Sequence, residues 1–401
     1  MLTLDKIYHA AFVLKDVVRK TDMLSAPELT GRTKIYLKAE NLQITGSFKV
    51  RGAYYKISQL TEEQRAAGII ACSAGNHAQG VALAATKMGI RSIVCMPDGA
   101  PISKVTATKR LGAEVCLVKG AYDDAYKKAC ELQKESGATF IHPFDDESVI
   151  PGQGTIGLEV LEQLSDAEAV IVPVGGGGLI SGVAYAVKSL NPNIKVYGVQ
   201  AANAASMEKS QKKGEKITLN AVSTFADGIA VKTPGDLTFE LVNKYVDDIV
   251  TVSEDEIAAA ILALMEKQKL VAEGAGAVSV AAAMFSDLPI RDKKTVCILS
   301  GGNIDVNILS RVITRGLVTG GRNATLQIAL EDKPGQLMGV SEIVSKCGGN
   351  VVSVHHERSD ANMPVASCFL KIGLETSGFE QIEEIKNELQ KAGFSIVSDR
   401  I

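Results

Sequence analysis

Four short segments hold the residue types most able to do chemistry. The first is Thr45-Gly46-Ser47-Phe48-Lys49-Val50-Arg51-Gly52, and three further glycine-rich turns follow it, each placed where a strand should end. A lysine by itself is nearly always a solvated surface charge, so the case for Lys49 rests on its company. The apolar run Ala169-Val170-Ile171-Val172-Pro173-Val174 leads into Gly175-Gly176-Gly177-Gly178 and then directly into an amphipathic segment. Four residues without side chains at a helix start turn several backbone N–H groups toward one point, and the helix dipole makes that point attractive to a dianion. The run therefore reads as a phosphate cup. Ser73-Ala74-Gly75-Asn76-His77 also follows a strand-like run and opens a helix, so its amides and the Asn76 side chain make a second anion-accepting corner, suited to a substrate carboxylate. His77 on its own reads as a core or supporting histidine, because nothing near it has the spacing of a triad or a metal site. Ser300-Gly301-Gly302-Asn303 closes the set at the end of Thr295-Val296-Cys297-Ile298-Leu299, where a serine backed by glycines can approach the edge of a flat ring.

Rival readings of the glycine run fail on spacing. Counting G-x-G-x-x-G from Gly175 puts Ile180 at the last glycine, and counting from Gly176 puts Ser181 there. The following strand, 196–199, ends in Gln200 where a ribose-binding acid would be needed, which argues against a dinucleotide. No G-x-x-x-x-G-K-[ST] occurs, so a P-loop is excluded.

These segments need a large scaffold. With 401 residues, 46% apolar and 22% charged, the chain can bury an extensive core in two or three domains. Its 43 basic residues nearly balance its 46 acidic ones, with no basic stripe carrying interleaved aromatics, so charge makes no case for nucleic acid or a membrane surface and favours a small-molecule substrate. Seven cysteines, at 72, 95, 116, 130, 297, 347 and 368, form no C-x-x-C pair and read as reduced, buried thiols of a cytoplasmic protein. No secretory signal or bilayer-spanning apolar run is visible, and no metal site is expected.

From about residue 67 short β-branched runs alternate with helical patterns. Strands are predicted at 68–72, 92–96, 114–118, 139–141, 169–174 and 195–199, with helices at 77–88, 103–111, 122–134, 154–164 and 179–190. Such alternation argues for an α/β fold with parallel sheets and covering helices. The lysine-rich stretch 208–219 is read as an irregular surface excursion. A helix at 254–268 and a strand at 295–299 resume the pattern, and the glycine- and arginine-rich segment 316–323 is read as a domain boundary. Beyond it, strands at 325–330, 350–356, 366–372 and 395–397 and helices at 335–346 and 379–392 give a βαββαβ order. That order resembles an ACT regulatory domain, and Asp332-Lys333-Pro334-Gly335-Gln336-Leu337 is similar to that family's strand-to-helix turn. A ferredoxin-like domain used only for assembly is the plainer reading of the same topology.

Taken in order, Thr45 to Ala53, Ser73 to Gly80, Gly175 to Leu179 and Ser300 to Asn303 resemble the tryptophan-synthase-β family of pyridoxal phosphate (PLP) enzymes, fold type II, over roughly residues 5 to 320. With the ACT-like tail the chain resembles the threonine ammonia-lyases, or threonine dehydratases. The resemblance implies a two-subdomain catalytic domain over 1–320, with a small mobile subdomain at about 40–145, and an ACT-like regulatory domain over 324–401. It implies that Lys49 holds the cofactor aldehyde as an imine, with Phe48 beside the ring and Asn76 bonding the ring hydroxyl. Gly175, Gly176, Gly177 and Gly178 would hold the phosphate and Ser300 would face the pyridine nitrogen, while Ser73, Ala74, Gly75, Asn76 and His77 would bind substrate.

The expected reaction is β-elimination and deamination of L-threonine to 2-oxobutanoate and ammonia, with L-serine to pyruvate as a secondary reaction. An amine can both hold an aldehyde and, once released, act as a base at Cα. A neutral Ser300 gives the ring nitrogen little reason to protonate, which favours loss of a β-hydroxyl over transamination, and the bound phosphate could protonate that leaving group. Serine racemases of this family resemble the same segment with a second serine where this chain has Ala74; a methyl there argues for proton chemistry on one face. A serine racemase or another β-eliminase of this fold remains an alternative, as does a non-catalytic amino-acid sensor. The ACT-like domain implies an amino-acid effector bound between paired copies, hence a homo-oligomer, dimer or tetramer. Isoleucine or valine would suit a biosynthetic role, and a degradative role stays open. Asp227 and Glu273 are noted as residues near the site or a cation position, without an assigned role.

Overall fold

Runs of β-branched residues buried on both faces, such as Ile69–Cys72 and Ala169–Pro173, have to be paired on both edges and covered by helices. In a computed structural model, which describes residues 1–31, 33–358 and 367–400, that is how they lie. The chain forms two compact units, 1–308 and 309–401.

The first unit holds two sheets. A six-stranded sheet runs in the order Met23–Ser25, Lys34–Lys38, Lys294–Ile298, Ala169–Pro173, Lys195–Ala201, Asp248–Val252, and every neighbouring pair is parallel except the first. A four-stranded, wholly parallel sheet runs Glu114–Val118, Ser92–Pro97, Ile69–Cys72, Thr139–Phe140. The larger core joins Val170, Val172 and Val196 to Ile180, Val183 and Val187 of the helix Gly178–Leu190 and to Ile156 and Val160 of the helix Val149–Gln163. That last helix begins five residues earlier than its apolar pattern predicts. Pro151 falls in its first turn, where the missing N–H costs nothing. The stretch expected to be irregular from residue 208 begins as the helix Ser206–Lys213, which buries Ser206, Met207 and Ser210 on one face and turns its lysines outward.

The second unit contains an antiparallel sheet in the order Asn350–Glu357, Ser367–Glu375, Asn323–Glu331, Ser395–Arg400. Along Asn323–Glu331 alternate residues are buried, so one face is covered. Leu326, Ile328 and Leu330 pack there with Val340 and Val344 of the helix Gln336–Lys346 and with Ile385 and Leu389 of the helix Phe379–Lys391. The element order is βαββαβ, as read from the sequence; Ala366, the first residue of one predicted strand, lies outside the described residues. The units divide between 308 and 309, within the helix Val306–Thr319, whereas the glycine-rich segment expected as a boundary, 316–323, spans the last turn of that helix and the residues after it. Among the described residues no helix is long and apolar enough to cross a membrane.

Candidate active site

Each of the four chemistry-bearing segments follows the carboxyl end of a parallel strand: Lys34–Lys38, Ile69–Cys72, Ala169–Pro173 and Lys294–Ile298. Ligands of α/β sheets collect at those ends. Two of the segments are tied together backbone to backbone. Phe48 N donates to Ser300 O at 3.1 Å, Gly302 N donates to Gly46 O at 2.8 Å, and Ser47 pairs with Gly301 as an antiparallel bridge. Gly46 has φ +70°, and a Cβ there would lie 2.3 Å from Asn303 Oδ1, so both backbone and space demand glycine. Asn303 Nδ2 donates to Thr45 O at 2.8 Å and to Asn76 Oδ1 at 2.7 Å, which brings in the third segment.

Lys49 is the first residue of the helix Lys49–Ser58 and is half-buried. Its Nζ donates to Pro143 O at 2.8 Å and stands 5.3 Å from the centre of the Phe48 ring. Burial lowers its pKa to about 8, against an upward pull from Glu273. A much larger share of this amine is unprotonated near neutral pH than of an ordinary lysine.

The fourth segment opens the helix Gly178–Leu190, whose N-cap, Gly177, has φ +97° and no side chain to satisfy the helix start. Among the described residues the amides of Gly175 to Gly178 make no hydrogen bond. The Phe144 ring lies over the run, so that a Cβ at Gly176 would come 2.4 Å from it. Thr238 Oγ1 donates to Gly176 O at 2.6 Å and holds the loop from the other side.

The remaining predicted residues are placed as follows. Ser300 is buried and its hydroxyl donates to Ala275 O at 3.2 Å. Ser73 Oγ accepts from Gly75 N at 3.1 Å, and Ala74 is half-buried between them. Asn76 begins the helix Asn76–Lys87. His77 is buried, with Nε2 2.9 Å from Ile141 O. Burial, then the Lys49 charge, push its pKa down to about 3, so it stays neutral. That is the setting of a supporting histidine.

Two features take their meaning only from the structure. Glu273, in Ala272-Glu273-Gly274-Ala275-Gly276, is only 3% exposed and its Oε1 accepts from Asn76 Nδ2 at 2.6 Å. Burial, reinforced by Asp227 and opposed by Lys104, Asn76 and Lys49, pushes its pKa up to about 7. Asp227 itself pairs with Lys104, and among the described residues no cluster of three or more histidine, cysteine or acidic side chains could hold a metal ion. The second feature is a buried ionic cluster beside Lys49. Arg51, 1% exposed, grips Glu40 through Nε at 2.8 Å and Nη2 at 2.7 Å, and reaches Glu159 at 2.6 Å and 3.0 Å and Thr155 at 3.1 Å. Lys38 completes it, 2.6 Å from Glu159.

Known proteins bear directly on this geometry. A family model described as pyridoxal-phosphate dependent enzyme matches residues 14–301. An L-threonine ammonia-lyase of Thermotoga maritima is 51% identical over 398 residues, 99% of each chain. A catabolic L-threonine dehydratase of Escherichia coli is 49% identical over 315 residues, 78% of this chain and 96% of that one. Among solved structures, threonine deaminase isoform 2 from Solanum lycopersicum superposes with a TM-score of 0.74 at 39% identity, covering 78% of this chain and 89% of its own. Maize serine racemase does so with a TM-score of 0.73 at 36% identity, covering 78% and 97%. Because the family match takes in three of the four segments whole and reaches into the serine turn, the chain belongs to the pyridoxal-phosphate dependent enzymes.

Proposed function

We propose that this chain is a lyase that deaminates L-threonine to 2-oxobutanoate and ammonia, with L-serine to pyruvate as a secondary reaction. The observation that carries the reading is Lys49: an amine of lowered pKa, at the junction of the Ser300 turn and the Asn76 loop, in a chain alike over 99% of its length to an L-threonine ammonia-lyase.

The residues fit pyridoxal phosphate. The unbonded amides of Gly175 to Gly178 at a helix start would hold its phosphate, and a side chain at Gly176 would collide with Phe144. Lys49 would hold its aldehyde carbon, Phe48 would flank its ring, Asn76 would bond its ring hydroxyl and Ser300 would meet its ring nitrogen. When bound, the cofactor supplies an electron sink for a carbanion at an amino-acid Cα. The protein does the rest. The Lys49 amine, already prone to be neutral, takes the Cα proton. Ser300 offers a neutral hydroxyl, which can turn from the Ala275 carbonyl and which gives no charge to favour a protonated ring nitrogen. The Ser73 to His77 turn presents amides to the substrate carboxylate, and the Phe144 ring lies against the glycine loop. Ala74 carries no proton to deliver to the face opposite Lys49, which favours the lyase over a racemase.

Within the same reading, 1–320 is the catalytic domain, its segment of about 40–145 moves as a small subdomain, and 324–401 is an ACT-like regulatory domain. It would take an amino-acid effector in a cytoplasmic homo-oligomer. The test is Lys49→Ala. It is expected to fold with an unchanged circular dichroism spectrum, to lose the visible absorbance that bound cofactor gives the wild type, and to lose turnover by more than about 100-fold. A variant of equal activity would overturn the assignment.

A further inference from the structure

Glu273 occupies the N-cap position of the helix Gly274–Phe285, where a carboxylate ordinarily turns back to accept from the helix's own free amides. It makes no such bond. Its side chain is turned away from the helix, and Oε1 accepts from Asn76 Nδ2 at 2.6 Å. The space it needs is kept open by a bare α-carbon: a Cβ at Gly301 would come 2.5 Å from Glu273 Oε1 and 3.2 Å from Asn76 Nδ2. A group 3% exposed, diverted from its local helix onto a residue 197 positions away, is held there by the fold of the whole lobe.

The consequence lies in which way the Asn76 amide faces. An ionised carboxylate can only accept, so it draws the NH2 end of Asn76 toward itself, and Asn303, which donates to Asn76 Oδ1 at 2.7 Å, requires the same orientation from the other side. One Asn76 N–H is thereby committed to Glu273 and the other is left to point at a ligand oxygen. Protonating Glu273 removes its demand for a donor and leaves Asn303 alone to hold the amide. Three charged groups face Glu273 from the elements around it. Asp227, in the turn Asp227–Ile229, disfavours its ionisation, while Lys104 of the helix Ile102–Arg110 and Lys49 of the helix Lys49–Ser58 favour it. Lys104 is itself paired with Asp227, and the pair bridges a helix packed on the four-stranded sheet to a loop following the six-stranded one.

We propose that Glu273 is a positioning residue of this site: as a carboxylate it locks the Asn76 amide with a free N–H toward the cofactor's ring oxygen, and the Lys104–Asp227 pair across the two sheets sets how readily it ionises. The proposal rests on the proposed function only for the identity of the oxygen that Asn76 meets. Its test is the affinity of the full-length chain for 4-deoxypyridoxine 5′-phosphate, which keeps the ring oxygen and phosphate but has no aldehyde to react with Lys49, measured from pH 5.5 to 8.5 by equilibrium dialysis.

The wild type is expected to bind about tenfold more tightly on the alkaline side of a transition near pH 7 than on the acid side, beyond what the ligand's own phosphate ionisation causes. Glu273→Gln should lose that transition. With Glu273 intact, Asp227→Asn should move it to lower pH and Lys104→Met to higher pH, because the first removes a repulsion and the second an attraction. An unchanged profile in Glu273→Gln overturns the proposal, as does a shift in the same direction in the two outer variants, which decide the matter should Glu273→Gln fail to fold. A wild type that binds the analogue but releases no 2-oxobutanoate from L-threonine would sink the functional reading instead and leave the Glu273 result standing.

Discussion

At the scale of single residues, the chemistry turns on where protons can and cannot go. Lys49 is poised to lose one near pH 8, and Ala74 has none to give. Placing a hydroxyl there should supply a proton donor close to Cα. Ala74→Ser is expected to raise interconversion of L- and D-serine by on the order of tenfold over the wild type, read by chiral chromatography, with 2-oxo acid release retained. No gain in D-serine would remove Ala74 from the account of reaction choice. The four segments were legible because each depends on residues next to one another in the chain: four consecutive glycines announce an anion cup whatever surrounds them. Glu273 takes no role from its own segment, since an acid between alanines and glycines acquires its meaning only from Asn76, 197 residues away. Arg51 lies within the lysine motif, yet nothing adjacent in the chain reveals that Glu40 and Glu159 enclose it.

At the scale of elements, the helix Lys49–Ser58 is held at its first turn by that ionic cluster, so the position of Lys49 depends on Arg51. A buried cluster stripped of one partner leaves uncompensated charge. Arg51→Met, which strands Glu40 and weakens the hold on Glu159, is expected to cost about 3–5 kcal/mol of stability, measured by urea unfolding. Arg51→Lys should recover little, because an ammonium cannot reproduce the forked grip on Glu40. A loss under 1 kcal/mol in Arg51→Met would show that the cluster does not secure the helix.

The same cluster explains why parts of the first unit were hard to read. Lys34–Lys38 is a strand whose last lysine is wholly buried against Glu159, so its charge disguises a core strand. Lys49–Ser58 carries two lysines, an arginine and a glycine in ten residues and looks like a surface segment, although Val50, Arg51, Ala53 and Ile57 are buried. By contrast Glu114–Val118 was read with its observed bounds, and Ile69–Cys72 and Ala169–Pro173 to within a residue at each end, because runs of β-branched and apolar residues bounded by glycine and polar turns have few other uses.

At the scale of the whole molecule, one lobe of parallel strands delivers the Asn76 turn and the other delivers the glycine cup and the Ser300 turn, and Lys104 with Asp227 ties the two. A separate antiparallel unit follows, with the βαββαβ order that the sequence pattern predicts. The measurement that tests the central claim most directly is 2-oxo acid release by the purified full-length chain with pyridoxal phosphate, comparing L-threonine with L-serine and D-serine. The account predicts 2-oxobutanoate from L-threonine, pyruvate from L-serine at a lower kcat/KM, and negligible product from D-serine. A chain that takes up the cofactor yet only interconverts serine enantiomers, or that stays inert toward all three, would contradict it.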